Sequence, residues 1–290
     1  MDVVIVKWAT HPALDEVEAA FENELLKQNG KINIRKFNAE ANPQNAAMLA
    51  EKAGQLNPKI IVAFATPTAQ AVARASFDGV LLYAAVSDAE GAGLFKLHPK
   101  TTGIANVSPA IIDAGLDVLR KINPNLKTIG TIYNPAEQNS VYVQRILKEK
   151  CDAKGIALIQ RQISDPTQIS NLAEYLAPRV DAFYCANDNM VNLGIASISA
   201  VAQTNRKPFL IGEPDALNRG ATFAIGVDYT ETGRELASIA NEVFKGQSME
   251  NLPPREALKH VFRINDEIVS KMELNLSDEI RQLANENATY

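Results

Sequence analysis

Hydroxyl side chains stand where strand-like runs of the sequence give way to helix-like ones. Thr66 and Thr68 follow the apolar run 60–65, and Ser87 follows the run 80–86. The first N–H groups of a helix have no partner within the helix, and its dipole is positive at that end. Such positions suit a bound carboxylate. The residues of this kind are Thr10, Thr66, Thr68 and Ser87.

Carboxylates take the corresponding positions in the second half of the chain. Asp188 follows the apolar run 180–185, and Glu213 and Asp215 follow the run 208–211. Acidic side chains at these places suit an ammonium group. Aromatic residues also stand near strand ends, namely Trp8, Phe64, Tyr133 and Tyr184. This set of groups suits a zwitterion with a flat side chain.

Each candidate also has a purely structural interpretation. Thr66 and Ser87 could be N-caps, because Ser and Thr commonly precede helices, and Asp188 and Asp215 could cap helices in the same way. An aromatic residue within a strand usually packs in the core. That alternative applies to Trp8, Phe64 and Tyr184.

The candidate positions recur because the sequence contains two copies of one unit. Residues 3–37 align with 128–162, so that Trp8 falls on Tyr133, and residues 86–93 align with 213–220, so that Asp88 falls on Asp215. Repeats of this length indicate a duplicated α/β architecture, and we expect a ligand cleft between the copies.

The order of strand-like and helix-like runs predicts α/β structure with two similar Rossmann-like, doubly wound lobes joined by a hinge of several strands. We expect lobe one to hold residues 1–105 and 229–255, and lobe two to hold 106–228 and 256–290. The expected hinge strands are 104–107, 224–228 and a segment near 255–259.

Three local predictions are specific enough to be checked individually. A helix that starts at Pro43 should bury a stripe of Met48, Leu49 and Leu56. Residues 190–203 should form a single helix, and residues 247–255, which contain two adjacent prolines, should form a linker.

In open parallel sheets, ligands bind beyond the carboxyl ends of the strands. The loops at those ends span residues 8–14, 66–68, 87–91, 133–140, 187–189 and 213–215. They supply the candidate ligand-binding set, which is Trp8, Thr10, Thr66, Thr68, Ser87, Asp88, Tyr133, Asn134, Asn139, Ser140, Asn187, Asp188, Glu213 and Asp215.

Composition and missing motifs argue against several classes of protein. The net charge of −5 over 290 residues, with no basic run, argues against nucleic-acid binding. His11, His98 and His260 lack metal-ligand spacing, and the sequence has no GxSxG, P-loop or GxGxxG motif. We therefore expect no catalytic residue, metal or cofactor. An enzyme with its active site in the cleft would lack an identifiable nucleophile and base.

Eight stretches in order carry a family resemblance that runs from Val3 to roughly Leu276. They are THPALD (10–15), FATPTAQ (64–70), VSDAEGAGL (86–94), TTGIANVSP (101–109), IGTIYNPAEQNS (129–140), CANDNMV (185–191), GEPDALNRGA (212–221) and AIGVDYTETGRELA (224–237). Together they resemble the ABC-transporter substrate-binding proteins of the tryptophan or aromatic amino-acid type, which have the type I periplasmic-binding fold.

The resemblance implies a receptor outside the cytoplasm that closes on a small ligand by hinge motion and presents it to an ABC permease in the membrane. It implies a periplasmic protein or a cell-surface lipoprotein, and we expect its leader to have been removed from this sequence. Asp188 or Asp215 would bind the ligand ammonium. The carboxylate would lie against Thr66, Thr68, Asn139 and Ser140. The alternative is a ligand-sensing regulatory module of the same fold that binds another small molecule.

Overall fold

The chain folds into two units, each built on one β-sheet. The computed structural model describes residues 2–285, except for the side chains of Asp215 and Asn285. Unit one runs from the start of the chain to Asn106 and takes in Asp228–Leu258, while unit two holds Val107–Val227 and the chain from Lys259 onwards. The chain therefore passes from one unit to the other three times.

The first part of unit one alternates strands with helices, because apolar runs of strand length are separated by segments of helical periodicity. Most of its strands are buried, and in the central strand of 60–64 every residue is buried, whereas the strand of 34–38 is only partly buried or exposed. The elements are β1 (Val3–Lys7), α1 (Pro12–Asn29), β2 (Ile34–Asn38), α2 (Pro43–Gln55), β3 (Ile60–Phe64), α3 (Thr66–Arg74), β4 (Val80–Val86), α4 (Leu94–Leu97) and β5 (Thr101–Ala105).

Unit two repeats this alternation. Three short 3₁₀ turns, Pro166–Gln168, Ala177–Arg179 and Pro214–Arg219, lie between its elements. The elements are α5 (Pro109–Ile122), β6 (Thr128–Tyr133), α6 (Gln138–Ala153), β7 (Ala157–Gln162), α7 (Ile169–Leu176), β8 (Ala182–Cys185), α8 (Asn189–Leu193), α9 (Ile195–Thr204), β9 (Phe209–Ile211) and β10 (Phe223–Val227).

The remaining chain returns to both units. Unit one gains α10 (Tyr229–Phe244), the 3₁₀ turn Met249–Asn251 and β11 (Arg255–Glu256), and unit two gains β12 (His260–Ile264), α11 (Asp266–Lys271) and α12 (Asp278–Asn285). The predicted linker 247–255 is thus partly wrong, because it contains a 3₁₀ turn and ends in a strand in which Arg255 pairs with Ile104.

The two sheets have the same strand order. Unit one reads β11-β5-β4-β3-β1-β2 with parallel pairs, and unit two reads β12-β10-β9-β8-β6-β7. The final strands differ, since β11 runs parallel to β5 whereas β12 runs antiparallel to β10, with Phe223 opposite Ile264. The predicted α/β class with two similar doubly wound units is confirmed.

Helix α2 packs through small side chains rather than large ones. Its buried residues include Ala46, Ala50 and Ala53, whereas Met48 is 60% exposed. The predicted burial of Met48 is therefore wrong. Alanine on the inner face allows the helix to lie close to the sheet, and Leu49 and Leu56 are only partly buried beside the same core.

The predicted helix 190–203 is also wrong, because it is interrupted at Gly194. A Cβ atom at this position would lie 2.3 Å from Cδ1 of Ile169, which is fully packed in the core of unit two. A larger side chain at this position would require Ile169 of α7 to shift. Helices α8 and α9 are separate, and Asp188 is the N-cap of α8.

Candidate functional site

The candidate residues lie at the carboxyl edges of the two sheets. In unit one they follow β1, β3 and β4, which are neighbours in the sheet, and in unit two they follow β6, β8 and β9, which are also neighbours. Parallel strands place their carboxyl ends at one edge, so the topology brings the predicted loops of each unit together.

The turn from β3 to α3 in unit one holds a buried hydroxyl. Thr66 is the first residue of α3 and is 1% exposed, and its Oγ1 has no hydrogen-bond partner in the described part of the chain. The preceding Ala65 has φ +82°, in the left-handed region that an alanine rarely adopts. Strained backbone and an unsatisfied polar group are features that often accompany binding sites.

The other hydroxyl at this helix is already engaged. Thr68 Oγ1 donates to the carbonyl oxygens of Phe64, at 2.6 Å, and Ala65, at 2.9 Å. A hydroxyl has one hydrogen to donate, so Thr68 holds the turn rather than offering a donor outward.

The loop after β4 is shaped by its own backbone and by Asp88. Ser87 is buried, and the pairing of β4 with β5 shifts register between Tyr83 and Val86. Asp88 Oδ1 accepts a hydrogen bond of 2.8 Å from the Gly91 amide. Asp88 therefore contributes to the shape of this loop.

The aromatic candidates differ in their surroundings. Trp8 is buried beyond β1, where its amide donates to Phe64 O, and Thr10 is an exposed residue whose Oγ1 accepts from Asn38 Nδ2 at 2.7 Å. Phe64 and Tyr184 are fully buried in strands, as the structural alternative for them proposed.

Sequence reasoning missed Asn106 in unit one. This residue follows β5 and is buried; its Nδ2 donates to Tyr229 Oη at 3.4 Å, and its Oδ1 has no partner among the residues described. The rule that selected Thr66, a polar residue just beyond a strand, would have selected Asn106 had the segment not been interpreted solely as a hinge.

Asp188 is the most highly connected candidate in unit two. Its Oδ1 accepts from the amides of Met190 (3.0 Å) and Val191 (2.9 Å), and its Oδ2 accepts from the Asn134 amide (2.6 Å) and Ser140 Oγ (2.5 Å). The side chain is the N-cap of α8, as the structural alternative anticipated, and it also fixes the loop after β6 and the first turn of α6.

Glu137 performs a similar task and was not among the predicted residues. Its carboxylate accepts from the amides of Asn189 and Met190 and from the side chains of Asn134, Asn139 and Asn189. The acid in the stretch YNPAEQNS was visible in the sequence, but its contacts with Asn189 and Met190, about fifty positions away, were not.

The two acids impose a negative potential on this edge of the sheet. Burial, and the nearby charge of Glu137, raise the pKa of Asp188 to about 6, although hydrogen bonds from Ser140, Asn134 and Val191 act to lower it. A place where ionised carboxylates are crowded and partly desolvated favours a cationic ligand group.

Asn139, Asn187 and Tyr133 are the other polar candidates in this region of unit two. Asn139 Nδ2 donates to Glu137 and to Asn187 O, and its Oδ1 is buried with no partner in the described structure. Asn187 has φ +34°. Tyr133 Oη accepts from Gln162 Nε2 at 2.8 Å. With its donors occupied, Asn139 has only an acceptor left to offer.

Glu213 borders a small cavity beyond β8 and β9. The residue is 7% exposed and accepts a short hydrogen bond from Asn192 Nδ2. The cavity has a volume of about 10 Å³, which is room for one water-sized group. Its lining residues are Cys185, Ala186, Asn187, Asp188, Val191, Asn192, Ile211 and Glu213. The predicted Asp215 side chain lies outside the described residues.

Among the residues described, no cluster of three or more His, Cys, Asp or Glu side chains is placed to hold a metal ion. Within the same residues, no helix is both long and apolar enough to cross a membrane. Burial raises the pKa of the Cys185 thiol to about 12, so this cavity-lining thiol is neutral.

The family model described as ABC transporter substrate binding protein matches residues 2–288. The chain belongs to this family. The resemblance found in the sequence is thereby confirmed, and the described units have the fold of type I periplasmic-binding proteins.

Similar proteins match along nearly the whole chain. A "Tyrosine-binding protein" of Clostridioides difficile (strain R20291) is 27% identical and matches over 99% of this chain and 86% of its own length. A conserved domain protein from Vibrio cholerae has a TM-score of 0.91, 25% identity and 98% coverage of each chain.

A third relative is the structure of an ABC domain in complex with L-Trp from Streptococcus pneumoniae. It has a TM-score of 0.89 and 22% identity, and the match covers 98% of this chain and 99% of that one. At this level of identity the likeness concerns the fold.

The raised pKa of Asp188 gives stability a pH dependence of defined sign. The value of about 6 exceeds the roughly 4 of an aspartate in an unfolded chain, so the native protein holds this proton where the unfolded chain has released it. The contribution of Asp188 to the free energy of unfolding therefore falls as pH rises from about 4 to about 6. We therefore expect the free energy of unfolding of the native protein minus that of Asp188→Asn, measured by urea unfolding at each pH, to fall over this range.

Asp165→Asn is the matched control. Hydrogen bonds from the hydroxyl and amide of Thr167 lower the pKa of Asp165, so its titration has the opposite sign. For this exposed residue the difference should be small and should rise with pH. A difference for Asp188→Asn that is constant, or that grows with pH, would contradict the raised pKa.

Proposed function

We propose that this protein is the extracytoplasmic substrate-binding protein of an ABC importer and that its ligand is an aromatic amino acid. The observation that carries the proposal is the cavity in unit two, bordered by the buried carboxylates of Asp188 and Glu213 and sized for one small group. Family membership supports the transport role over the sensing alternative. The relatives named for tyrosine and for L-Trp support the ligand class.

In this proposal Glu213 receives the ligand ammonium. Asp188 already accepts four hydrogen bonds, which is about the full capacity of a carboxylate, and each of its donors belongs to the scaffold. Glu213 lines the same cavity and accepts a hydrogen bond from the side-chain amide of Asn192. Asp188 then acts on the ammonium through its charge rather than by direct contact.

The ligand carboxylate is assigned to the first turn of α3 in unit one. Helix α3 has nine residues, and the free N–H groups and positive dipole at its N-terminus favour an anion. Thr66 Oγ1 adds a buried donor with no other partner in the described structure. The resemblance implied that Thr68, Ser140 and Asn139 also bind the ligand carboxylate. Their hydroxyl or side-chain amide hydrogens, however, are donated to other groups of the protein.

The remaining parts of the proposal follow from the family. The partner is an ABC permease, the site of action is the periplasm or the cell surface, and the protein acts by binding rather than catalysis. Ligand binding does not require a metal or a cofactor in this account.

A ligand panel tests the proposed function. The protein is unfolded and refolded to remove carried-over ligand, and its thermal unfolding is then measured with each of the twenty amino acids and several sugars and nucleosides. We expect stabilisation by tyrosine, tryptophan or phenylalanine, worth about 2.7 kcal/mol at a hundred times the dissociation constant. A response confined to sugars or nucleosides, or no response to any amino acid, would contradict the proposal.

Two neighbouring threonines provide a matched pair of variants. Thr66→Val removes a buried hydroxyl that has no described partner, so we expect affinity for the amino acid to fall about tenfold while stability is unchanged or raised. Thr68→Val removes the hydroxyl hydrogen that the carbonyl oxygens of Phe64 and Ala65 share, and should lower stability by about 1 kcal/mol. Calorimetric titration and urea unfolding measure the two quantities. Unchanged affinity in Thr66→Val would contradict the assignment of the carboxylate.

A further inference from the structure

Arg219 makes a bidentate hydrogen-bond contact with one residue of unit two, Asn192. It lies at the end of the turn Pro214–Arg219, and it donates from Nη1 to Asn192 O at 2.6 Å and from Nη2 to Asn192 Oδ1 at 2.5 Å. Asn192 is buried in α8, and its amide N–H donates to Asp188 O at 2.9 Å. The guanidinium therefore donates hydrogen bonds to both the backbone and the side chain of Asn192.

This contact determines which way the Asn192 amide faces. A guanidinium group carries donors and no acceptor, so the oxygen of the Asn192 side chain must point to Arg219. The nitrogen must then point the other way, where it donates to Glu213 Oε2. The guanidinium and the carboxylate thus favour the same orientation of the amide, and loss of the guanidinium would remove the two donors that hold Asn192 from the side away from Glu213.

The orientation matters because Glu213 is buried. A carboxylate out of water is costly unless hydrogen bonds satisfy it, and bonds to a charged group are stronger than those between neutral groups. The Asn192 amide supplies such a bond and holds the carboxylate in one position. Both Asn192 and Glu213 line the same small cavity.

We infer that Arg219 is a positioning residue for ligand binding: through the side-chain amide of Asn192 it holds the Glu213 carboxylate in place for the ammonium group of the ligand. The inference rests on the proposed function and extends it beyond the residues that touch the ligand. It makes the turn after β9 a determinant of selectivity for amino acids over the corresponding acids that lack an ammonium group.

The test compares ligands with and without that ammonium group. L-Tyrosine is paired with 3-(4-hydroxyphenyl)propionate, and L-tryptophan with indole-3-propionate, so that ring and carboxylate stay constant within a pair. In Arg219→Met we expect the affinity for the better-bound amino acid to fall about tenfold and that for its partner acid to change less than about twofold. Asn192→Leu should give the same pattern.

Two further variants make the test decisive. Arg206→Met removes an exposed arginine of the same unit, which pairs with Glu273, and should leave both affinities unchanged. Arg219→Lys keeps the charge but cannot make two parallel donations, so it should give a smaller loss of the same selectivity. It also keeps the test informative if the methionine variant fails to fold.

The outcomes separate the inference from the function on which it rests. Equal losses for both members of a pair in the Arg219 variants would mean that Arg219 only supports the fold, and unchanged affinities would mean that it has no role; each overturns the inference. If the native protein binds the amino acid no better than the acid without the ammonium group, the proposed ammonium site itself fails, and the inference fails with it.

Discussion

The buried carboxylate of Asp188 is the constraint on which the rest of the unit-two site depends. Removing a carboxylate from water costs several kcal/mol unless donors replace the lost solvent. Here the donors come from the loop after β6, from the first turn of α6 and from the start of α8. Because the charge must be satisfied, these three segments cannot move independently. Glu137 accepts hydrogen bonds from the same three segments.

This arrangement separates the scaffold from the proposed binding groups. The oxygens of Asp188 accept hydrogen bonds from the protein, so that only its charge acts on the cavity, whereas Glu213 lines the same cavity and accepts a hydrogen bond from Asn192. In unit one the polarity is reversed, since the start of α3 presents donors and a positive dipole at Thr66. The site in unit two is thus suited to a cation, and the start of α3 is suited to an anion.

Local patterns were sufficient to predict much of the fold from the sequence. The apolar run 80–86, for example, has the same bounds as the strand Val80–Val86, and the order of strands and helices gave the α/β class. The errors lie where tertiary contacts matter: the helix predicted over 190–203 is interrupted at Gly194, where Ile169 packs closely, and α2 buries alanines instead of Met48. Glu137, Asn192 and Arg219 were missed because donors and acceptors far apart in sequence meet only in the folded chain.

A crystal structure of the refolded protein with L-tyrosine or L-tryptophan, whichever the panel shows to stabilise it more, tests the central claim most directly. The account predicts the ligand nitrogen about 3 Å from a Glu213 oxygen, with all four hydrogen bonds to Asp188 still in place. It also predicts the ligand carboxylate against the first turn of α3. A ligand nitrogen bound directly to Asp188 in place of one of its donors, or an amino acid bound away from Glu213, would contradict the account.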